Sequence, residues 1–310
     1  MACELAITVH KNRLVLKYQL GKRMHWLNEF LKFCRPVSRL TGSEWADSKR
    51  FISLGTAAEP GPWRTYRTPY LQEPMDAATD KETEKVVLMF ASQVGKSEML
   101  LNILGYYADQ EPSPQLMLQP TVEMAQAFSK ERIAPMFRDS PGLAGKLIEG
   151  KEGRGTEKKS STTILMKHYP GGFLALVGAN SPAGLASRPI RILLADEVDR
   201  YPESAGKEGD PLKLAVQRTQ NFGNRKLLMV STPTVVGYSK IHNEFLAGDQ
   251  REFVVRCPEC NQYNELKWEN VHWDSDDKGN VIESSVGLFC PHCGAKIRGP
   301  RKINPDILQS

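Results

Sequence analysis

Val86-Val87-Leu88-Met89-Phe90-Ala91-Ser92-Gln93-Val94-Gly95-Lys96-Ser97 holds an apolar strand, a loop closing on Gly-Lys-Ser, and the start of a helix expected to run to about Ala108. A short apolar run bounded by turn residues reads as a buried strand. Gly-Lys-Ser at a helix N-terminus is the last triplet of a phosphate loop. Backbone N–H groups and the positive end of the helix wrap phosphate oxygens, the lysine reaches the β- and γ-phosphates, and the serine ligates Mg2+. The loop residues are Ala91, Ser92, Gln93, Val94, Gly95, Lys96 and Ser97, with Phe90 where the motif has its first glycine.

Working outward, the same texture continues. Gln115–Leu118, Phe173–Val177, Ile190–Ala195 and Lys226–Val230 read as core strands, with helical stretches over Thr121–Ala134, ending ahead of Pro135, and Pro211–Gln220. Thr163–Met166 and Phe173–Val177 flank Tyr169-Pro170-Gly171-Gly172 as a hairpin. Continuously apolar strands alternating with helices imply an α/β fold, a parallel sheet with helices on both faces. The strand Ile190–Ala195 ends in Asp196-Glu197. A carboxylate pair there, with a phosphate lysine 100 residues upstream, is the other half of a nucleotide-hydrolysing site: Asp196 holds Mg2+ through the metal's water shell and Glu197 polarises the attacking water. Ser231 and Thr232 end another strand and are candidates to sense the γ-phosphate. Arg188 is a candidate to stabilise transition-state charge, within the subunit or across to a neighbour, with Arg191 a weaker one.

The rest of the chain sets limits. With 40% hydrophobic and 25% charged residues among 310, it is neither disordered, collagen-like nor a bare coiled coil. The longest uncharged apolar run, Val86–Ala91, falls far short of the ~20 residues that span a bilayer. Met1–Leu20 mixes Glu4, His10, Lys11 and Arg13 into its apolar residues and does not read as a secretion signal. A net charge of +5 is compatible with polyanion binding without requiring it. Residues 1–59 read as an N-terminal helical or adaptor region, with a helix over Leu14–Phe33; 60–248 form the α/β domain, and 249–310 a separate module and tail.

That module carries Cys257-Pro258-Glu259-Cys260 and Cys290-Pro291-His292-Cys293, 29 residues apart. Four thiolates in two Cys-x-x-Cys knuckles make the tetrahedral S4 set that Zn2+ favours, a closed and therefore structural site. Without a secretion signal a reducing compartment is expected, which favours metal over disulfides. Asn261 and Gly294, each following a second cysteine, are positions where a knuckle needs positive φ.

Taken together, Trp45-Ala46, Pro62-Trp63-Arg64, Pro69-Tyr70-Leu71, Gln93–Ser97, the run Gly178–Asp199, Ser231-Thr232-Pro233 and the double Cys-x-x-Cys resemble the large terminase subunit of tailed bacteriophages, in its lambda-type (GpA-like) branch. The resemblance covers about residues 40 to 300. It implies an ASCE/RecA-like P-loop ATPase that drives double-stranded viral DNA into a procapsid. It further implies a homo-oligomer at work, the small terminase subunit and the portal as partners, and the host cytoplasm as the place of action. An aromatic and a glutamine upstream of the loop build the adenine pocket in such motors, which makes Tyr66, Tyr70 and Gln72 the candidates. Ser231-Thr232-Pro233 takes the place of the coupling motif. Family members also carry a C-terminal nuclease, which this sequence, ending at Ser310, is expected to lack. Two rivals stand beside this reading: an ATP-dependent helicase-like protein, and a zinc-ribbon nucleic-acid adaptor with a degenerate phosphate loop.

Overall fold

The structure, a computed structural model, describes residues 7–10, 13–16, 39–55, 59–148, 162–182, 184, 188–235 and 237–297. The chain divides into two units, Met1–Leu40 and Thr41–Ser310. In the first, β1 (Ile7–His10) pairs antiparallel with β2 (Arg13–Leu16), Ile7 opposite Leu16 and His10 opposite Arg13. The helix expected over Leu14–Phe33 is therefore wrong at its start. Short apolar runs do not distinguish the two periods, and Ile7–His10 with Arg13–Leu16, separated by two residues, satisfy a hairpin. Residues 17–38 of that expectation lie outside the described residues.

The second unit opens with α1 (Gly42–Lys49), closed at its start by a capping box in which Thr41 and Glu44 satisfy each other's backbone N–H groups. Phe51–Ile52 (β3) and Gly61–Pro62 (β4) form a minimal antiparallel pair, and α2 (Gln72–Thr79) follows. Trp45 is fully buried, and the N–H groups of Gly42 and Ser43 donate to Thr79 Oγ1 and Asp76 Oδ1 of α2, both at 2.9 Å. Residues 41–55 thus pack with the α/β body. By compactness the second unit starts at Thr41, ahead of the expected 59/60, and carries no division at the expected 248/249; Trp45 packs in a core that later helices supply.

Next come β5 (Lys85–Met89), α3 (Lys96–Asp109), β6 (Gln115–Gln119), α4 (Val122–Phe128) and α5 (Ala134–Asp139). Pro135 does not stop the helical path. One wide turn, Ser129–Ile133, lets the Ala134 N–H reach Ser129 O, and the proline then falls in the first turn of α5, where a missing N–H costs nothing. The hairpin is β7 (Met166–Tyr169) and β8 (Gly172–Gly178), three residues later on its first arm than expected, turning through Gly171 at φ +84°. The remainder is β9 (Ile192–Asp196), α6 (Pro211–Gln217), β10 (Lys226–Ser231) and α7 (Lys240–Leu246).

The sheet order is β5–β10–β9–β6–β8–β7, parallel throughout except for the β7 edge. Every residue of β6, β9 and β10 is buried, as expected of central strands covered on both faces. Leu193 and Ala195 of β9 share a cluster with Leu212 and Ala215 of α6 and Ile241 of α7. The alternate residues Ile192 and Leu194, both fully buried, face the opposite side, where α3 packs on β9 and β10. Parallel pairing brings the carboxyl ends of β5, β10, β9 and β6 to one edge. There a ligand crevice opens in such sheets.

Beyond α7 the chain forms two small antiparallel sheets, β11 (Val254–Arg256) with β12 (Tyr263–Glu265), and β13 (Val271–His272), β14 (Gly287–Phe289) and β15 (Lys296–Ile297) in that order. No helix among the described residues is long and apolar enough to cross a membrane.

Candidate functional site

The loop after β5 is built by backbone conformation. Gln93 (φ +62°) and Gly95 (φ +85°) are both left-handed, and α3 starts immediately after Gly95. Successive turns of this kind point N–H groups into one concavity, a ready anion nest. Gly95 is held to glycine twice over, by its φ and by Leu71, whose Cδ1 lies 3.2 Å from where a Cβ would stand. Lys96 is 5% exposed, and its ammonium donates to Ala91 O at 2.7 Å and to Thr232 Oγ1 at 2.9 Å. The lysine therefore spans the loop and the end of β10, across the space a phosphate would fill.

Ser97 Oγ donates to the Asp196 carboxylate, 3.2 Å from Oδ1 and 3.1 Å from Oδ2. Gln119 Nε2, at the end of β6, donates to Oδ2 at 3.1 Å. Asp196 is 3% exposed, and burial pushes its carboxyl upward. The hydrogen bonds from Gln119 and Ser97 and the charge of Lys96 pull against that rise, while the neighbouring charge of Glu197 adds to it. A buried carboxylate, a serine hydroxyl and an ammonium within one crevice are the donor set for Mg2+ and a polyphosphate. At Glu197 the backbone leaves the strand in a left-handed conformation, φ +55°, which breaks the alternation that would send successive side chains opposite ways. Its carboxylate lies 3.6 Å from the Arg200 guanidinium.

The other expected residues divide. Ser231 is buried and its Oγ accepts from the Asp199 N–H at 3.2 Å. Tyr70 packs edge-on against Phe90, centroids 6.0 Å apart, directly ahead of the loop, and burial raises its phenol pKa. Gln72 begins α2 with an exposed side chain, and Tyr66 stands 52% exposed on the turn Thr65–Arg67. Arg188 is not drawn to the carboxylates. Its guanidinium rests over Phe173 at 5.8 Å and against Met166 Sδ at 3.5 Å, on the β8–β7 side of the sheet. Arg191 donates to Ser113 Oγ at 2.8 Å and Asn224 O at 3.1 Å and pairs with Glu111 at 2.8 Å.

Two residues escaped the sequence reading. One is Gln119. The other is Asp199, whose Oδ1 accepts from the Ile241 N–H (2.8 Å) and whose Oδ2 accepts from the N–H and Oγ1 of Thr234 (2.9 and 3.0 Å). Burial works against its ionisation, but these hydrogen bonds outweigh it and lower the pKa. Asp199 thereby ties the turn after Glu197 to the loop after β10 and to the first turn of α7.

In the C-terminal module the four Sγ atoms of Cys257, Cys260, Cys290 and Cys293 lie within 4.8 Å of one another. Cys257 and Cys293, like Cys260 and Cys290, are 3.7 Å apart. Four thiolates at about 2.3 Å from a tetrahedral Zn2+ would be separated by about 3.8 Å, so the cluster fits that ion. The two knuckles match. Asn261 N–H bonds Cys257 O (3.0 Å) and Gly294 N–H bonds Cys290 O (2.9 Å), at φ +62° and +71° as expected. Burial opposes ionisation of Cys290, yet the N–H groups of Cys293 and His292 bring its pKa down to about 6.

Together, the parallel sheet, the loop after β5 and the carboxylate at the end of β9 define an α/β protein of the P-loop type. Comparison with known proteins narrows this. Residues 57–307 match the family described as "Phage terminase large subunit gpA, ATPase domain", and the chain belongs to that family. It is 26% identical over 291 residues to the large terminase subunit of Escherichia phage lambda, an alignment covering 90% of this chain and 43% of that protein. It is also 26% identical over 268 residues to the large terminase subunit of Enterobacteria phage P21, covering 83% and 40%. The chain thus spans less than half the length of either relative. Among solved structures it is similar to the Thermus phage P74-26 large terminase ATPase domain, with a TM-score of 0.41 and 15% identity over 63% of this chain and 76% of that one.

Proposed function

We propose that this chain is the ATP-hydrolysing part of a phage DNA-packaging motor of the ASCE branch. Its work would be to translocate double-stranded DNA into a procapsid in the host cytoplasm, as a homo-oligomer, with the small terminase subunit and the portal as partners. The observation that carries this is the interlock of Lys96, Ser97, Asp196 and Thr232 at the carboxyl ends of β5, β9 and β10. The insertion of β10 between the loop strand and the carboxylate strand supports the ASCE assignment.

In this reading the triphosphate of ATP takes over the Lys96 ammonium from Ala91 O and Thr232 Oγ1, and the N–H groups of residues 93–97 meet its oxygens. Ser97 and Asp196 would hold Mg2+, which when bound would supply charge neutralisation for the phosphates. Glu197 orients the attacking water and takes its proton. Tyr70 and Gln72 meet the base, with Tyr66 at the periphery. Thr232, let go by Lys96, registers the γ-phosphate, and Ser231 passes its loss through Asp199 to α7. The seat of Arg188 on Phe173 favours a role toward a neighbouring subunit. Zn2+ on Cys257, Cys260, Cys290 and Cys293 would be structural, holding together the small antiparallel sheets that follow α7.

The test is Mg2+-dependent phosphate release from ATP by the purified chain, with and without double-stranded DNA. Turnover is expected, and Lys96→Ala should abolish it while weakening nucleotide binding at least tenfold, about 1.4 kcal/mol or more. Turnover that survives Lys96→Ala would refute the site.

A further inference from the structure

Gln119 is 2% exposed, and its amide sits on the one carboxylate of the crevice that is almost fully buried. The residue is pinned from two sides. Its carbonyl accepts from the Ala179 N–H at 2.8 Å, and the preceding carbonyl, of Leu118, accepts from Tyr201 Oη at 2.9 Å. Tyr201 is itself buried, four residues after Glu197, so the chain that leaves the carboxylate pair returns to brace the end of β6. The backbone that carries the side chain is thus held in place beside Asp196, and the buried amide donates to it from there.

The chemistry of that geometry is specific. Ser97 Oγ lies nearly equally close to both oxygens of Asp196, whereas Gln119 Nε2 engages Oδ2. A lysine or arginine in its place would neutralise Asp196 and repel a cation, and an apolar residue would leave the carboxylate free to turn or to take up a proton. A neutral donor does neither. We propose that Gln119 is a positioning residue of the nucleotide site: by holding Asp196 Oδ2 it presents Oδ1 to the Mg2+ that Ser97 and Asp196 bind. The inference rests on the nucleotide reading above. Partners that orient metal-binding side chains in this way cost about 10–100-fold in metal affinity when removed.

The experiment titrates Mg2+ against the binding of a fluorescent ADP analogue to the full chain and repeats the binding in EDTA. Gln119→Met keeps the length of the side chain and removes the donor. It should raise the Mg2+ concentration for half-maximal binding about tenfold and leave the metal-free affinity unchanged. Mn2+ bound in the presence of ADP, read by EPR, should fall in parallel. If Gln119→Met does not fold, Gln119→Asn, with its amide one methylene short, should still raise the Mg2+ requirement. An unchanged Mg2+ requirement, or an equal loss of affinity with and without metal, overturns the assignment in favour of a packing role. If the unsubstituted chain binds no nucleotide at any Mg2+ concentration, the nucleotide reading fails, and this inference with it.

Discussion

Glu197→Gln separates chemistry from stability more cleanly than any other change at the crevice. The ion pair of Glu197 is with Arg200, at 3.6 Å, and that arginine is 66% exposed. Pairs this open contribute about 0–1 kcal/mol. The left-handed backbone at φ +55° costs a side-chain-bearing residue about 1–2 kcal/mol, and glutamine inherits that cost unchanged. Folding should therefore move by less than about 1 kcal/mol, or roughly 2–4 °C in Tm. Removing a positioned base lowers turnover about 10²- to 10⁴-fold, equivalent to roughly 3–5 kcal/mol of barrier. Phosphate release at saturating ATP and Mg2+ should fall by that factor, with ATP affinity held within about threefold, about 0.7 kcal/mol. Turnover near that of the unsubstituted chain would refute the role of Glu197. Glu197→Gly makes the strain itself measurable: glycine adopts φ +55° freely, so this inactive variant should be at least as stable as Glu197→Gln in urea. A loss of more than about 1 kcal/mol would show that the left-handed turn stores no strain.

Three further outcomes follow from named contacts. One Zn2+ per chain should appear by elemental analysis, and Cys290→Ser should lower both zinc content and the melting temperature of the module; full occupancy in a Cys257/Cys260 double mutant would place the ligands elsewhere. Asp109 is half-buried, which resists its ionisation, yet Lys146, Lys49, Trp45 Nε1 and Gln110 hold its pKa down to about 2. Its contribution is therefore complete above the unfolded carboxylate pKa of about 4 and is lost as pH falls toward 2. Asp109→Ala should cost about 3 kcal/mol in urea at pH 7 and progressively less below pH 4. Tyr70→Ala should raise the KM for ATP several-fold and leave binding of Mg2+-tripolyphosphate unchanged, the signature of a contact to the base rather than to the phosphates.

What the sequence disclosed is what short-range chemistry encodes. Gly95-Lys96-Ser97 after an apolar strand specifies a backbone conformation, and the strand, the left-handed Gly95 and the helix all lie within 25 residues of one another. The cysteine knuckles are equally local, each closed by an N–H four residues beyond its first cysteine. Errors arose where an element depends on a distant partner. Helix α1 has only eight residues, and Trp45 reads as part of an N-terminal region until Asp109, 64 residues away, accepts its indole N–H at 2.7 Å. The seat of Arg188 over Phe173 was likewise out of reach of the sequence, since the aromatic face belongs to another strand.

Gln119 shows why one kind of site residue leaves no mark in a sequence. Nothing in Gln115-Leu116-Met117-Leu118-Gln119 marks its last residue as more than the polar end of a strand. Its role depends on strand order. Because β6 lies beside β9, a residue 77 positions upstream reaches Asp196. Asp199 is hidden the same way, since β10 must lie beside β9 before Thr234 and α7 come within its reach. Phosphate-binding residues are constrained by the ligand and so carry a spacing; residues that orient them are constrained by topology and carry none. In a parallel sheet the two sets meet at the carboxyl ends, so buried polar side chains that end the strands flanking a carboxylate are where further functional residues of this chain are to be sought.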